Sequence, residues 1–249
     1  MLQLTIWSLP SLIALILAGY TLHRVRGNPT IPGVTAMMWL CASVMIWTGG
    51  QFLGTLTTDP GLKLVCAKFE TIGSAYVCVC WFWFALAYAR RREHVSFLLL
   101  AALAALPTVT LLLAFTNEWH EQIWHAPHVV THHGYVGWLN EPGPWFKAHI
   151  VYAYALVFAA TGILGFEMST SKRHRKALVA VIATPSVTGI LNLLSMSPHN
   201  PFPGFDFTAL GSGCLHEVSA SNGFTCHSSL VTHHASSEFQ RCLFRRYVA

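Results

Sequence analysis

The side chains best placed to do chemistry are the few polar ones that interrupt long apolar runs. Glu70 stands in the run from Leu64 to Tyr88, and Gln51 stands near the end of the run from Val34 to Leu56. His149 and Tyr152 lie early in the run from Trp145 to Phe166, and Asn192 lies near the end of Ala177 to Leu194. If these runs are helices of alternating direction, all five residues fall in the same half of one bundle. Carboxyl, amide, imidazole and phenol groups at one depth could line a small pocket that binds a ligand or senses a proton. The plainer reading is that Glu70 is satisfied by one interhelical hydrogen bond and that Asn192 joins two helices. Lys68, two residues from Glu70, projects to nearly the opposite side of a helix, so it cannot pair with Glu70 and is expected to snorkel to the interface. A partner for Glu70 is therefore expected on another helix, with His149, Tyr152 and Gln51 at a suitable depth.

A second group of reactive side chains lies between residues 116 and 144. His120, His125, His128, His132 and His133 occur there with Glu118, Glu121 and Glu141. Imidazole with carboxylate suits zinc, copper or nickel. The spacing matches no metal motif, so a polar, hydrated loop with no metal and no cofactor is the expectation. Of the seven cysteines, Cys41, Cys66, Cys78 and Cys80 lie inside apolar runs, where a thiol serves as a small apolar filler. Cys78 and Cys80 are two apart, face opposite sides and make no redox pair. Cys214 and Cys226, with His216, His227, His233 and His234, fit no standard zinc pattern. Nothing in the chain resembles a Gly-x-Ser-x-Gly elbow, a His-Glu-x-x-His helix or a phosphate-cradling loop. The chain itself is therefore not expected to be an enzyme, and with no lysine in the run from Ala177 to Leu194 or in residues 208–249 it is not expected to be a retinal protein.

The elements that must position these groups follow from composition. Of 249 residues, 53% are apolar or aromatic and only 10% are charged, against about a quarter charged in a soluble domain. Mean hydropathy is +0.48. Apolar runs of about twenty residues have the length a helix needs to cross roughly 30 Å of hydrocarbon. The runs predict an all-α polytopic transmembrane bundle with six clear spans, at about 4–22, 34–56, 64–88, 95–115, 145–166 and 177–194, in a domain covering 1–210. Basic residues gather after spans one, three and five, as Arg24 and Arg26, Arg90 to Arg92, and Lys172, Arg173, Arg175 and Lys176. The positive-inside rule then puts the N-terminus outside a cell membrane crossed several times. No basic residue precedes the first run, so it is expected to be a retained helix rather than a cleaved signal. The net charge of +5 is a topology marker and not a sign of nucleic-acid binding. Residues 211–249 form a polar Ser/His/Cys tail with no apolar seventh span, which is the pattern a frameshift or fragment would leave.

Several pieces together resemble a known family. They are Lys68-Phe69-Glu70-Thr71-Ile72-Gly73, Phe84-Ala85-Leu86-Ala87-Tyr88, and Thr116-Asn117-Glu118-Trp119-His120 with Trp124. Gly143-Pro144-Trp145-Phe146 leads to His149, Tyr152 and Tyr154, and Asn192-Leu193-Leu194 and Pro203-Gly204-Phe205-Asp206-Phe207-Thr208 complete the set. In this order the pieces resemble the seven-helix membrane region at the N-terminus of some sensor histidine kinases. The resemblance implies a sensory input domain that reports an extracytoplasmic or membrane stimulus to a cytoplasmic output module. After Leu210 the sequence departs from the pattern, with no phosphoacceptor helix and no nucleotide-binding segments. The expected partners are the lipid bilayer, a small ligand of unnamed chemistry and a second copy in a homodimer, with the output module absent from this chain. The alternative is a small transporter or channel-like protein that uses the same polar pocket. The lack of an internal repeat and of polar residues in the other half of the bundle weighs against it.

Overall fold

Helix starts are written clearly into the chain. Asp59 caps a helix by accepting the Leu62 N–H at 2.8 Å, with Pro60 at the first position, where its missing N–H costs nothing. Pro144 opens a later helix in the same way. The computed structural model describes residues 6–27, 33–90, 95–132, 135–170, 175–197, 206 and 208. Its helices are α1 (Leu9–Arg26), α2 (Val34–Leu56), α3 (Pro60–Arg90), α4 (Phe97–Phe115), α5 (Pro144–Thr170) and α6 (Arg175–Met196). α2 falls where the sequence puts it, and α1, α3 and α5 run several residues further than their apolar cores.

Five helices, α1 to α5, are long and apolar enough to cross a membrane. Among the described residues the sixth expected span is represented by a shorter apolar stretch of α6, Ile182–Met196. The expected seventh span and the tail 211–249, with its cysteines and histidines, lie outside the described residues, as does His133.

α3 sits at the centre, packed against α2, α4 and α5, while α1 lies on α2 and α6 lies on α5. The α2–α3 contact is the closest because glycine removes the side chains that would hold two helices apart. A Cβ on Gly50 would stand 2.8 Å from the Glu70 backbone, and one on Gly73 would stand 2.3 Å from Ser43 O and Trp47 N. Gly54 meets Cys66 one turn beyond Gly50, so the Gly-x-x-x-Gly spacing of α2 gives the backbone-to-backbone approach expected of small residues in membrane bundles. Farther along, Ser43 and Cys80 meet at 3.7 Å, and Trp81, Phe84 and Ala85 join Leu40 and Cys41 in the core. Cys41, Cys78 and Cys80 are buried and free, as fillers should be. Large apolar side chains face outward on α1, α4 and α5, including Ile16, Leu112, Val151, Phe158 and Phe166, as lipid-facing surfaces require.

One expectation fails. The segment from 116 to 144 is not an irregular loop but an antiparallel hairpin, β1 (Trp124–His132) and β2 (Tyr135–Pro142), preceded by a turn of 3₁₀ helix at Asn117–Trp119. The register pairs Val129 with Trp138 and Thr131 with Val136, and it breaks between His125 and His128, where Ala126 takes φ 42°. A two-stranded hairpin is marginal alone and needs support from what it packs on. The bundle supplies that support.

Candidate functional site

Asn117 begins the anchoring of the hairpin. Its buried amide accepts the N–H groups of Ile123 (2.9 Å) and Trp124 (3.1 Å) through Oδ1 and donates to Trp124 O (2.9 Å) through Nδ2. Gly143 closes the base: its N–H donates to Ile123 O, and its missing side chain admits Gln122 O to 2.3 Å from where a Cβ would stand. Lys63 anchors the middle. It is 4% exposed, and its ammonium donates at 2.7 Å both to Gly54 O, at the end of α2, and to Val136 O in β2. The hairpin thus covers the end of the bundle where α2 stops and α3 begins. Outside this roof, Lys68 reaches the bundle end and donates to Phe115 O (3.2 Å) and Glu118 Oε1 (2.5 Å). The hydrogen bond from Lys68 holds the Glu118 carboxyl below the usual carboxylate range.

Beneath the hairpin lies a cavity of about 790 Å³ between α2, α3, α5 and α6. Its longest wall is one face of α3, where Lys63, Glu70, Ser74, Val77 and Trp81 recur at the three-, four- and seven-residue intervals of a helix face. Trp124 and Trp138 close it from the hairpin side.

Three of the five expected pocket residues meet on this cavity, and two do so only in part or not at all. Gln51, Glu70 and Asn192 line it. The partner of Glu70 is none of the three expected; it is Trp47, whose indole Nε1 donates to Oε1 at 3.1 Å. Gln51 instead donates through Nε2 to Asp206 Oδ2 at 2.5 Å. Asp206 also accepts the N–H and the hydroxyl of Thr208. Asn192 Nδ2 donates to the Thr208 hydroxyl oxygen at 3.3 Å, and its Oδ1 lies 3.1 Å from the Tyr154 hydroxyl, which is equally close to Gly189 O. α2, α5 and α6 are thereby joined through side chains with Asp206 and Thr208.

Tyr152 is turned away. Its hydroxyl donates to Leu103 O on α4 at 2.6 Å, and Tyr154, two residues on, takes the cavity position. His149 is at the cavity edge, but its Nδ1 engages Thr110 of α4 at 3.0 Å. The Thr110 hydroxyl donates to Leu106 O and also accepts from Trp145 Nε1 at 2.9 Å, so this contact binds α4 to α5.

Among the described residues the histidines do not converge, and no three His, Cys, Asp or Glu side chains stand close enough to share a metal ion. Both ring nitrogens of His120 are engaged, Nε2 with the Thr116 hydroxyl at 3.0 Å and Nδ1 with the Gln122 N–H at 3.1 Å. His125 faces Glu121 at 3.0 Å, and His128 contacts Ala126 O at 2.9 Å. His132 ends β1.

Trp47, Tyr154, Asp206 and Lys63 are the cavity residues that pattern reasoning passed over. Asp206 stands within a stretch that carries the family resemblance, and the period of the α3 face, counted from Glu70, leads directly to Lys63. Trp47 had no such signal, because tryptophan in an apolar run reads as lipid contact.

An apolar helix bundle, roofed at one end and enclosing a largely apolar cavity with a few polar side chains on its wall, is a membrane-embedded domain. Residues 6–215 match the family model of the N-terminal 7TM region of histidine kinase, and the chain belongs to that family. No curated protein matches the chain. The region so defined is a sensory input region and not a catalytic domain.

Proposed function

We propose that this domain detects an extracytoplasmic stimulus and passes it to a cytoplasmic histidine-kinase module, with the cavity as the detecting site. The N-terminus and the hairpin face the outside of the plasma membrane. Arg24, Arg26 and Arg90 stand at the opposite ends of α1 and α3, consistent with the positive-inside rule. One observation carries the reading: the cavity is walled by four helices tied across it by hydrogen bonds, Trp47 to Glu70, Gln51 to Asp206 and Tyr154 to Asn192. A molecule entering there competes for those bonds, and whichever helix packing it binds better gains population.

A chimera tests this. Residues 1–210 replace the corresponding part of the membrane region of a histidine kinase whose autophosphorylation is measurable in vesicles, with the host's last span kept so that the kinase module stays cytoplasmic, and Glu70→Gln is introduced. The expected result is normal insertion with kinase output shifted severalfold. Normal insertion with unchanged output for Glu70→Gln, Gln51→Leu and Tyr154→Phe alike would overturn it.

A further inference from the structure

We propose that the cavity takes an amphipathic organic cation, with a primary ammonium group held by Glu70, Asp206 and Gln51 and an apolar body lying along the tryptophan-bearing wall of α3. This rests on the sensing role above and names the class of ligand.

The charges come first. Glu70 and Asp206 both line the cavity, close enough for the charge of Asp206 to act on Glu70. Among the described residues neither forms an ion pair; the recorded pairs are Lys68 with Glu118 and His125 with Glu121. Lys63 shares their wall but stands two turns nearer the hairpin, roughly 10 Å along the helix axis, and its ammonium is spent on Gly54 O and Val136 O. Buried charge without a counter-charge is costly, so the site favours a ligand that brings a positive one.

The unmade hydrogen bonds give the rest. Gln51 commits Nε2 to Asp206 and leaves Oε1 buried with no partner, an acceptor on the cavity that both carboxyl groups line. An ammonium group has three N–H donors for these three acceptors. Farther along the same α3 face, eleven residues past Glu70, the Trp81 indole N–H is also buried without a partner, and the residue is only 4% exposed. The Trp138 indole N–H and the Thr188 hydroxyl, both on the cavity, are unpartnered too. These groups can donate to an acceptor on the ligand body. Indole faces also attract organic cations. The volume of about 790 Å³ lies in the range of roughly 300–1,000 Å³ that small-molecule sites occupy.

The test uses the full chain in phosphatidylcholine nanodiscs, with tryptophan emission as the signal and three matched probes: phenethylamine, 2-phenylethanol and 3-phenylpropanoate. The amine is expected to saturate the signal, the alcohol to bind at least tenfold more weakly and the acid not to bind. Glu70→Gln, which keeps an acceptor for Trp47, and Gln51→Met should each weaken the amine at least tenfold and leave the alcohol unchanged. Circular dichroism of both variants checks that the helices are intact. In phosphatidylethanolamine nanodiscs, competition with the added amine would support the same chemistry and identify a lipid headgroup as its source. Equal binding of amine and alcohol, preference for the acid, or no binding by any probe overturns the cation class. In those cases the sensing role still stands or falls by the chimera alone. Saturable amine binding with no change in chimera output instead leaves the site and removes the sensing role.

Discussion

Replacing Gly73 by alanine is the sharpest test of how the bundle is held together. In an open helix this change stabilises by about 0.5–1 kcal/mol, because alanine loses less backbone entropy. At Gly73 the new Cβ would stand 2.3 Å from Ser43 O and from Trp47 N, and 2.9 Å from Trp47 Cα. All three neighbours are backbone and cannot rotate away. Restoring ordinary contact requires α2 and α3 to part by about 1 Å, and overpacking of this kind costs about 1–3 kcal/mol. The same movement stretches the Trp47 to Glu70 hydrogen bond from 3.1 Å to about 4 Å, where it no longer holds. Losing a hydrogen bond to a buried carboxyl group costs about 1.5–3 kcal/mol more. The expected loss is therefore about 3–5 kcal/mol, measured by denaturant titration in detergent with tryptophan emission and far-ultraviolet circular dichroism. Gly162→Ala on α5 is the internal control, since a Cβ there meets nothing within 4 Å. It should be neutral or stabilising by up to about 1 kcal/mol. Equal midpoints for the two variants would refute the backbone contact between α2 and α3.

Other outcomes follow from the same geometry. Asn117→Ala strands the N–H groups of Ile123 and Trp124 and the carbonyl of Trp124. At about 1–3 kcal/mol for an unsatisfied buried group, the hairpin should open locally, seen as hydrogen exchange at least tenfold faster in 123–142 with the helices unaffected. The Glu118 carboxyl is held below its ordinary range by Lys68, so its folded pKa is lower than its unfolded one. Its stabilisation is full above the unfolded value of about 4.3 and is lost as pH falls through the folded value. Because Glu118 is exposed, this amounts to under about 1 kcal/mol, and Lys68→Met should abolish that part of an acid-unfolding curve. Tyr152→Phe should lower stability by about 1 kcal/mol without altering chimera output, whereas Tyr154→Phe, which cuts the link to Asn192 and Gly189, should change output; the reverse pattern would show the two roles assigned the wrong way round.

Much of the bundle is legible in the chain because each span must satisfy its own backbone in hydrocarbon, so apolar length alone marks α1 to α5. The shared depth of Gln51, Glu70 and Asn192 could be read from spacing, since rise per residue fixes height in a helix. Rotation about the helix axis could not. Tyr152 and Tyr154 differ by about 200° in direction, and only the packing of α5 against α4 and α6 decides which one faces the cavity. The hairpin was obscured because its strands depend on Asn117, Gly143 and Lys63, residues distant from the alternating pattern that normally announces a strand. His120, His125 and His128 suggested a metal by type, but their partners are local hydroxyl, carboxyl and carbonyl groups, which residue spacing does not display.

The close meeting of Gly50 and Gly73 with the facing backbone restricts which motions the domain can perform. Two helices interlocked at the level of their main chains cannot slide by a fraction of a turn without collision, so α2 and α3 behave as a fixed mount. α6 is fastened to its neighbours by side-chain hydrogen bonds such as Tyr154 to Asn192, and these can be exchanged one at a time. Rocking or shear of α6 against the mount would break side-chain hydrogen bonds and no main-chain interlock. The Asn192 side chain of α6 also donates to Thr208, whose neighbour Asp206 is bonded to Gln51 of that mount.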